Sequence, residues 1–347
     1  MMTGHGMRRR LMGALAASWI ATGGGAAAAA ECRFPRGEVL IGGNNSVSDL
    51  ATPGNLSHVL PGGRLGLYAS VFAINNMVAE GDAFGGKGSD ARGRAIMRAF
   101  AKAPPAIGEE FYDSHGTPGL PAAARNDGKA LDKVDGPAAA AAIGWRPEAM
   151  MLNINYTGGK EHFLRDGDVA QFRQAAAELK QRYPSVRCVW PYINGQDPNW
   201  NGNNPYWALA KTMIREAGGV GIDIPVGLPL ASFASPNYLL ATANEIRWAN
   251  ANGVQTVLLL TPWAAKAPPG IMGQFAHDDQ FLRNTQRIVG YLEKAGAVPS
   301  VYVVSNYSGT LGTGARMITA NRIGSDTDAA TPSVAFVARW VLEHSGR

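Results

Sequence analysis

Eight short apolar runs recur along the chain, each of strand length and bounded by glycine, proline or asparagine. Between and after the later runs lie five longer segments whose apolar residues recur at helical spacing. The predicted strands cover residues 39–44, 65–73, 106–112, 150–156, 186–193, 220–226, 254–261 and 300–305. The predicted helices cover residues 168–183, 204–217, 235–252, 278–295 and 331–344.

Strands that alternate with helices favour a parallel sheet, and eight such units favour its closure into a barrel. The sequence therefore predicts an α/β fold, a single (β/α)8 TIM-type barrel over residues 31–347. Asp168 is expected to cap its helix, and Gly253 and Gly296 to end theirs. No long helical pattern separates the first two strands, and residues 116–144, rich in Ala, Gly and Pro, are predicted to be an insertion.

The N-terminus has the pattern of an export signal. Arg8, Arg9 and Arg10 precede an apolar run over residues 11–22, and a tract of small residues ends with Ala28-Ala29-Ala30. A basic region, a short apolar region and an A-x-A site are typical of a signal peptide over residues 1–30, with cleavage before Glu31. The general and twin-arginine routes are both compatible. No later run has the length of a membrane span, so the mature chain is expected to be soluble, periplasmic or secreted.

Charge and cysteine content narrow the function classes. Lys and Arg total 32 against 27 Asp and Glu, and three of the arginines lie in the leader, so nucleic-acid binding is not expected. Cys32 and Cys188 are the two cysteines, and in an oxidising compartment we expect a disulfide joining the N-terminal segment to strand five. The alternative is two buried free thiols. No metal-ligand spacing and no cofactor motif is found, so neither a metal nor a cofactor is predicted.

In such a barrel, functional residues gather at the carboxyl ends of the strands. Amide and aromatic residues are frequent at the predicted ends. Amides match the donors and acceptors of sugar hydroxyls, and flat rings can cover the apolar face of a pyranose. The alternative is that asparagine marks turns and the aromatic rings fill the core. The predicted substrate-binding residues are Glu109, Tyr112, Asp113, Asn153, Asn155, Trp190, Tyr192, Asn194, Asp197, Trp263 and Asn306.

Strand alternation selects among the carboxylates. On strand three, Ile107 and Phe111 are assigned to the outer face that meets the helices, which turns Gly108, Glu110 and Tyr112 inward. On strand six, the same reasoning turns Gly221 and Asp223 inward. A buried carboxylate is costly unless it is paired or used. Glu110 and Asp223 are therefore the predicted catalytic pair, with Glu109, Asp113 and Asp197 as close alternates. The other possibility is that an arginine pairs with either carboxylate in a structural network.

Taken together, the mature chain resembles secreted glycoside-hydrolase-like (β/α)8 barrels in its architecture, not in a specific motif. The resemblance implies an exported glycosidase that uses two carboxylates on a polysaccharide or oligosaccharide. Two departures are clear. The largest barrel clan has glutamates at the ends of strands four and seven, where this chain has Asn153, Asn155 and Thr261-Pro262-Trp263, and the chitinase-type D-x-x-D-x-D-x-E run is absent. The alternatives are a non-catalytic glycan-binding barrel, active in exopolysaccharide or cell-wall handling, and a different hydrolase or lyase.

Overall fold

Eight parallel strands form a closed barrel in the computed structural model. Each strand pairs with the next along the chain, and β8 pairs with β1. This confirms the predicted (β/α)8 barrel. The strands are β1 Glu38–Gly42, β2 Gly66–Ser70, β3 Ile107–Phe111, β4 Ala149–Asn153, β5 Cys188–Asn194, β6 Gly219–Pro225, β7 Gln255–Thr261 and β8 Val301–Ser305. The structure describes residues 32–42, 65–70, 104–111, 137, 140–141, 144–153, 166–194, 205–225, 236–261, 279–305 and 332–345.

The five predicted helices are confirmed. They are α1 Asp166–Arg182, α2 Pro205–Ala217, α3 Pro236–Ala251, α4 Gln280–Lys294 and α5 Val334–His344. Helix α1 begins two residues before Asp168, which therefore lies in the first turn and not at the cap. Gly253 and Gly296 follow α3 and α4 with φ of 69° and 65°, the left-handed conformation in which glycine ends a helix.

Two apolar layers stabilise the barrel. The outer layer joins outward side chains of the strands, such as Ile222 and Leu258, to helix side chains, such as Ile246 and Val337. The inner layer consists of strand side chains that point into the barrel, and they fill it as a packed core. The two layers explain the pattern of β6, in which outward Val220, Ile222 and Ile224 alternate with small or polar residues.

A disulfide between Cys32 and Cys188 confirms the predicted bridge. Cys188 is the first residue of β5, so the bridge fastens the N-terminal segment to the amino-terminal end of the barrel. The ring of Phe34 meets Trp190 edge to face, with centroids 6.0 Å apart. The backbone N–H of Phe34 donates to Oε1 of Gln255 at 2.9 Å. The N-terminal segment thus covers this end of the barrel. Across the described residues, no helix is long and apolar enough to cross a membrane.

Glu245 is a carboxyl buried in the outer layer. It lies on α3, is 3% exposed, and its Oε1 has no hydrogen-bond partner among the described residues. Burial raises the pKa of Glu245 to about 8. This pKa exceeds that of Glu245 in the unfolded chain. The contribution of Glu245 to the free energy of unfolding is therefore greatest below about pH 4.5, where the carboxyl is protonated in both states. That stabilisation is lost as the pH rises towards 8.

Glu245→Gln is expected to remove this pH dependence. The parent protein should lose up to about 1.4 kcal/mol of unfolding free energy per pH unit across this window, because folding then requires proton uptake. The variant, which cannot ionise there, should show a flatter profile and a higher melting temperature at pH 8. Urea unfolding from pH 4.5 to 9 measures both. Glu343→Gln, the same change at an exposed position of α5, is the matched control. Parallel profiles for Glu245→Gln and the parent would contradict the assignment.

Candidate active site

A group of five polar side chains, here the polar interior cluster, lies inside the barrel. Its members are Tyr68 on β2, Glu109 on β3, Tyr192 on β5, Asp223 on β6 and Thr261 on β7. Each lies within two residues of the last residue of its strand. Their strands are parallel, so the side chains meet near the carboxyl-terminal end, where barrels of this type bind ligands.

Glu109 and Tyr68 form the buried half of the cluster. Glu109 is 2% exposed and Tyr68 is 0% exposed. The Tyr68 hydroxyl donates a hydrogen bond to Oε2 of Glu109. Burial, followed by the charge of Glu109, raises the pKa of Tyr68 well above its usual value. Tyr68 therefore keeps its proton and holds the Glu109 carboxylate in one orientation.

Asp223 is the more accessible carboxyl, and part of its surface remains open to solvent. The Thr261 hydroxyl donates to its Oδ1 at 2.9 Å, and the Tyr192 hydroxyl also bonds to the carboxyl. Desolvation by the surrounding protein raises the pKa of Asp223 to about 6, while the two hydrogen bonds act in the opposite direction. Asp223 can therefore exchange a proton near neutral pH, as a general acid or base must.

The tyrosines join the two carboxyls electrostatically. Burial first, then the charge of Asp223 and then that of Glu109, raise the pKa of Tyr192 well above its usual value. The charge of Asp223 also contributes to the raised pKa of Tyr68. Both carboxyls thus act on the same two phenol groups, and the described partners of Asp223 are hydroxyls, not an arginine.

The alternation predicted for β3 is wrong. Ile107 belongs to the inner layer, and Glu109 meets Tyr68 inside the barrel. A Cβ on Gly108 would lie 2.6 Å from Cη2 of Trp145, which belongs to the outer layer. Gly108 therefore faces outward, where the Trp145 ring fills the space that a side chain would need. The inward carboxylate of β3 is therefore Glu109, the alternate, and the side chain of Glu110 lies outside the described part of the structure.

The alternation predicted for β6 is confirmed. A Cβ on Gly221 would lie 2.9 Å from Cδ2 of Tyr192 inside the barrel, and Val220 and Ile222 belong to the outer layer. The missing side chain at Gly221 leaves room for the Tyr192 ring to lie against β6. This close approach brings the Tyr192 hydroxyl to Asp223, two residues further along the strand.

The other predicted binding residues fall into three groups. Trp190 is 1% exposed and packs against Phe34, so it fills the barrel and does not present a ring to a ligand, which corrects its assignment. Asn153 and Asn194 are the last residues of β4 and β5, and the register pairs them with Tyr192 and Asp223. The predicted residues that lie outside the described part of the chain are Tyr112, Asp113, Asn155, Asp197, Trp263 and Asn306.

Two members of the cluster were not predicted as site residues. Thr261 carried a usable signal, because it is the last residue of its strand and shares the parity of inward Val257 and Leu259. Tyr68 carried little, because it lies within an apolar run and its partner Glu109 is 41 residues away. Among the described residues, no group of three His, Cys, Asp or Glu side chains is placed to hold a metal ion.

Comparison with known proteins identifies no family for this chain. No protein-family model matches the chain, and no curated protein matches its sequence. A crystal structure of a beta-glycosidase aligns over 91% of this chain and 97% of its own, with a TM-score of 0.41 and 11% identity. That level of similarity carries no argument about either fold or activity. What characterises this chain is its closed barrel and the polar interior cluster.

Proposed function

We propose that the protein is an exported glycoside hydrolase that cleaves a polysaccharide or oligosaccharide with Glu109 and Asp223. The observation that carries the proposal is the placement of two carboxyls near the carboxyl-terminal end of the barrel interior, both acting on Tyr68 and Tyr192. Glycosidic cleavage requires one carboxyl to protonate the leaving oxygen and a second to act as base or nucleophile. The basic leader and its A-x-A site support export, as does the disulfide.

The two carboxyls are suited to different roles. Asp223 is partly accessible and its pKa is raised to about 6, so it is the proposed general acid. Glu109 is the proposed second carboxylate, and Tyr68 orients it. Acid and base catalysis in one site requires one carboxyl that is protonated and a second that is ionised.

The pH dependence of turnover follows from the role of Asp223. Because a general acid must be protonated, kcat/KM should fall as the pH rises through about 6, by roughly tenfold per unit above that value. A pH–rate profile from pH 4 to 9 measures this fall in kcat/KM. Asp223→Asn should abolish the fall. A rate that increases through pH 6 would instead assign Asp223 as the base.

The primary test is a screen of the purified mature protein for reducing-sugar release, run beside a glycan array. Release of reducing ends from a glycan that also binds supports the proposal. Sequencing of the exported protein tests the leader, and we expect Glu31 to be its first residue.

The second candidate is a barrel that binds glycan without cleaving it. One observation favours it: Glu109 is 2% exposed and already bonded to Tyr68, so little of its surface is open to a substrate. Glycan affinity without any turnover of the bound glycan would support this candidate over the hydrolase.

A further inference from the structure

Thr261 occupies a position from which its hydroxyl reaches two acceptors. Its Oγ1 lies 2.9 Å from Oδ1 of Asp223 and 3.4 Å from the backbone oxygen of Ile224. The side chain is buried at the last position of β7, so water has little access to this hydroxyl. A hydroxyl has one hydrogen and two lone pairs, so it donates to one acceptor at a time and accepts from another donor.

We propose that Thr261 is a positioning residue whose hydroxyl supports Asp223 in both of its protonation states. The proposal rests on the general-acid role given to Asp223 above. When Asp223 is ionised, Thr261 donates its hydrogen to Oδ1. When Asp223 is protonated, the carboxyl O–H donates to Oγ1 of Thr261, and the threonine hydrogen turns to the Ile224 oxygen. No proton is gained or lost by Thr261 in this exchange.

A general acid changes its protonation state in each catalytic cycle, so both states must be stabilised in a desolvated site. A fixed donor would favour the ionised state alone and would oppose reprotonation. The other titratable groups acting on this corner, among the described residues, are Tyr192, Tyr68 and Glu109. Tyr68 donates to Glu109, which leaves Tyr192 and Thr261 to bond Asp223 directly. The second acceptor at Ile224 is what gives Thr261 its alternative arrangement.

Thr261→Val removes the hydroxyl and preserves the shape of the side chain. The ionised state loses a charge-assisted hydrogen bond and the protonated state loses a weaker neutral one. The titration midpoint of Asp223 should therefore rise by about one pH unit. Thr261→Ser retains the hydroxyl and should return the midpoint to the parent value. The Asp223 carboxyl carbon is followed by NMR from pH 3 to 9, with Asp223→Asn to assign its signal.

Thr256→Val is the matched control. Thr256 is buried on the same strand, on its outer face, where its Oγ1 accepts from the backbone N–H of Ser300 at 3.0 Å. Its replacement should lower the melting temperature and leave the Asp223 midpoint unchanged. An unchanged midpoint in Thr261→Val, or an equal rise in Thr256→Val, would overturn the proposal.

The titration also separates this proposal from the proposed function, because it needs no substrate. A raised midpoint in Thr261→Val, reversed in Thr261→Ser, supports the role of Thr261 even if the parent protein cleaves no glycan. If the parent does cleave a glycan, the pH at which kcat/KM begins to fall should be higher in Thr261→Val than in the parent. The difference should equal the rise in the Asp223 midpoint. If the parent is active but kcat/KM of Thr261→Val falls at the same pH as that of the parent, the positioning role is overturned. The hydrolase proposal would then still stand.

Discussion

Asp223→Asn and Glu109→Gln are each expected to lower glycan turnover by roughly 10²- to 10⁴-fold, the usual contribution of a positioned acid or base. Both changes keep the size of the side chain and remove only its ability to ionise. The amide oxygen introduced at either position can still accept from Thr261 or Tyr68, so the hydrogen-bonded arrangement is retained. The loss should therefore appear in kcat, while glycan affinity changes little.

The matched control for these variants is Glu245→Gln. It makes the same chemical change at a carboxyl that is also buried, but on α3 and outside the barrel interior. Its turnover should equal that of the parent, measured at a pH where both proteins are folded. Thermal melting of all four proteins shows whether a loss of rate reflects a loss of folded protein. Full activity in both Asp223→Asn and Glu109→Gln would defeat the assignment.

The double variant tests whether the two carboxyls act as a unit. Residues that cooperate in one chemical step are strongly non-additive, so Asp223→Asn with Glu109→Gln should be little slower than the slower single variant. If the decrease in turnover of the double variant equals the product of the two single decreases, the two groups act independently. The shared influence of Glu109 and Asp223 on Tyr68 and Tyr192 is the structural reason to expect coupling.

The barrel itself was predictable because its strands and helices are signalled locally. Strand β6 was also predicted face by face, since a run of alternating small and branched residues leaves one reasonable orientation for Asp223. Strand β3 was not, because Ile107 and Phe111 share a face and an apolar residue suits either side of a barrel strand. The inside is a packed core and the outside meets helices. The orientation is decided by contacts between elements: Ile107 packs in the inner layer, Glu109 bonds to Tyr68, and Trp145 lies beside Gly108.

The cluster was only partly predictable for a related reason. Alternation places a side chain on a face, but contact between strands depends on register and on how far each side chain reaches. The bond between Tyr68 and Glu109 depends on the pairing of β2 with β3, in which Ser70 lies opposite Glu109. The bond between Thr261 and Asp223 crosses from β7 to β6 and joins residues two positions apart in register. Neither of these two offsets can be predicted from the sequence of one strand alone.

Removing the disulfide is expected to have the largest effect on stability. Cys32 and Cys188 are 156 residues apart, so the bridge closes a long loop in the unfolded chain. On a chain-entropy basis such a loop contributes roughly 3–5 kcal/mol to the free energy of unfolding. The variant Cys32→Ala with Cys188→Ala should lose about this amount, since alanine adds no polar group to the apolar surroundings of the two sulfurs. Urea unfolding of the variant and the parent at one pH measures the difference.

Reduced parent protein provides the control for the packing of the sulfur atoms. If constraint of the unfolded chain dominates, parent protein unfolded in the presence of a reductant should match the double alanine variant. A much less stable variant would show that the sulfurs contribute mainly through their contacts in the folded core. Parent stability that is insensitive to reductant would contradict the prediction altogether. The bridge lies at the amino-terminal end of the barrel and the polar interior cluster near the other. Well below its unfolding transition, the bridge-free variant should therefore retain the Asp223 titration midpoint of the parent.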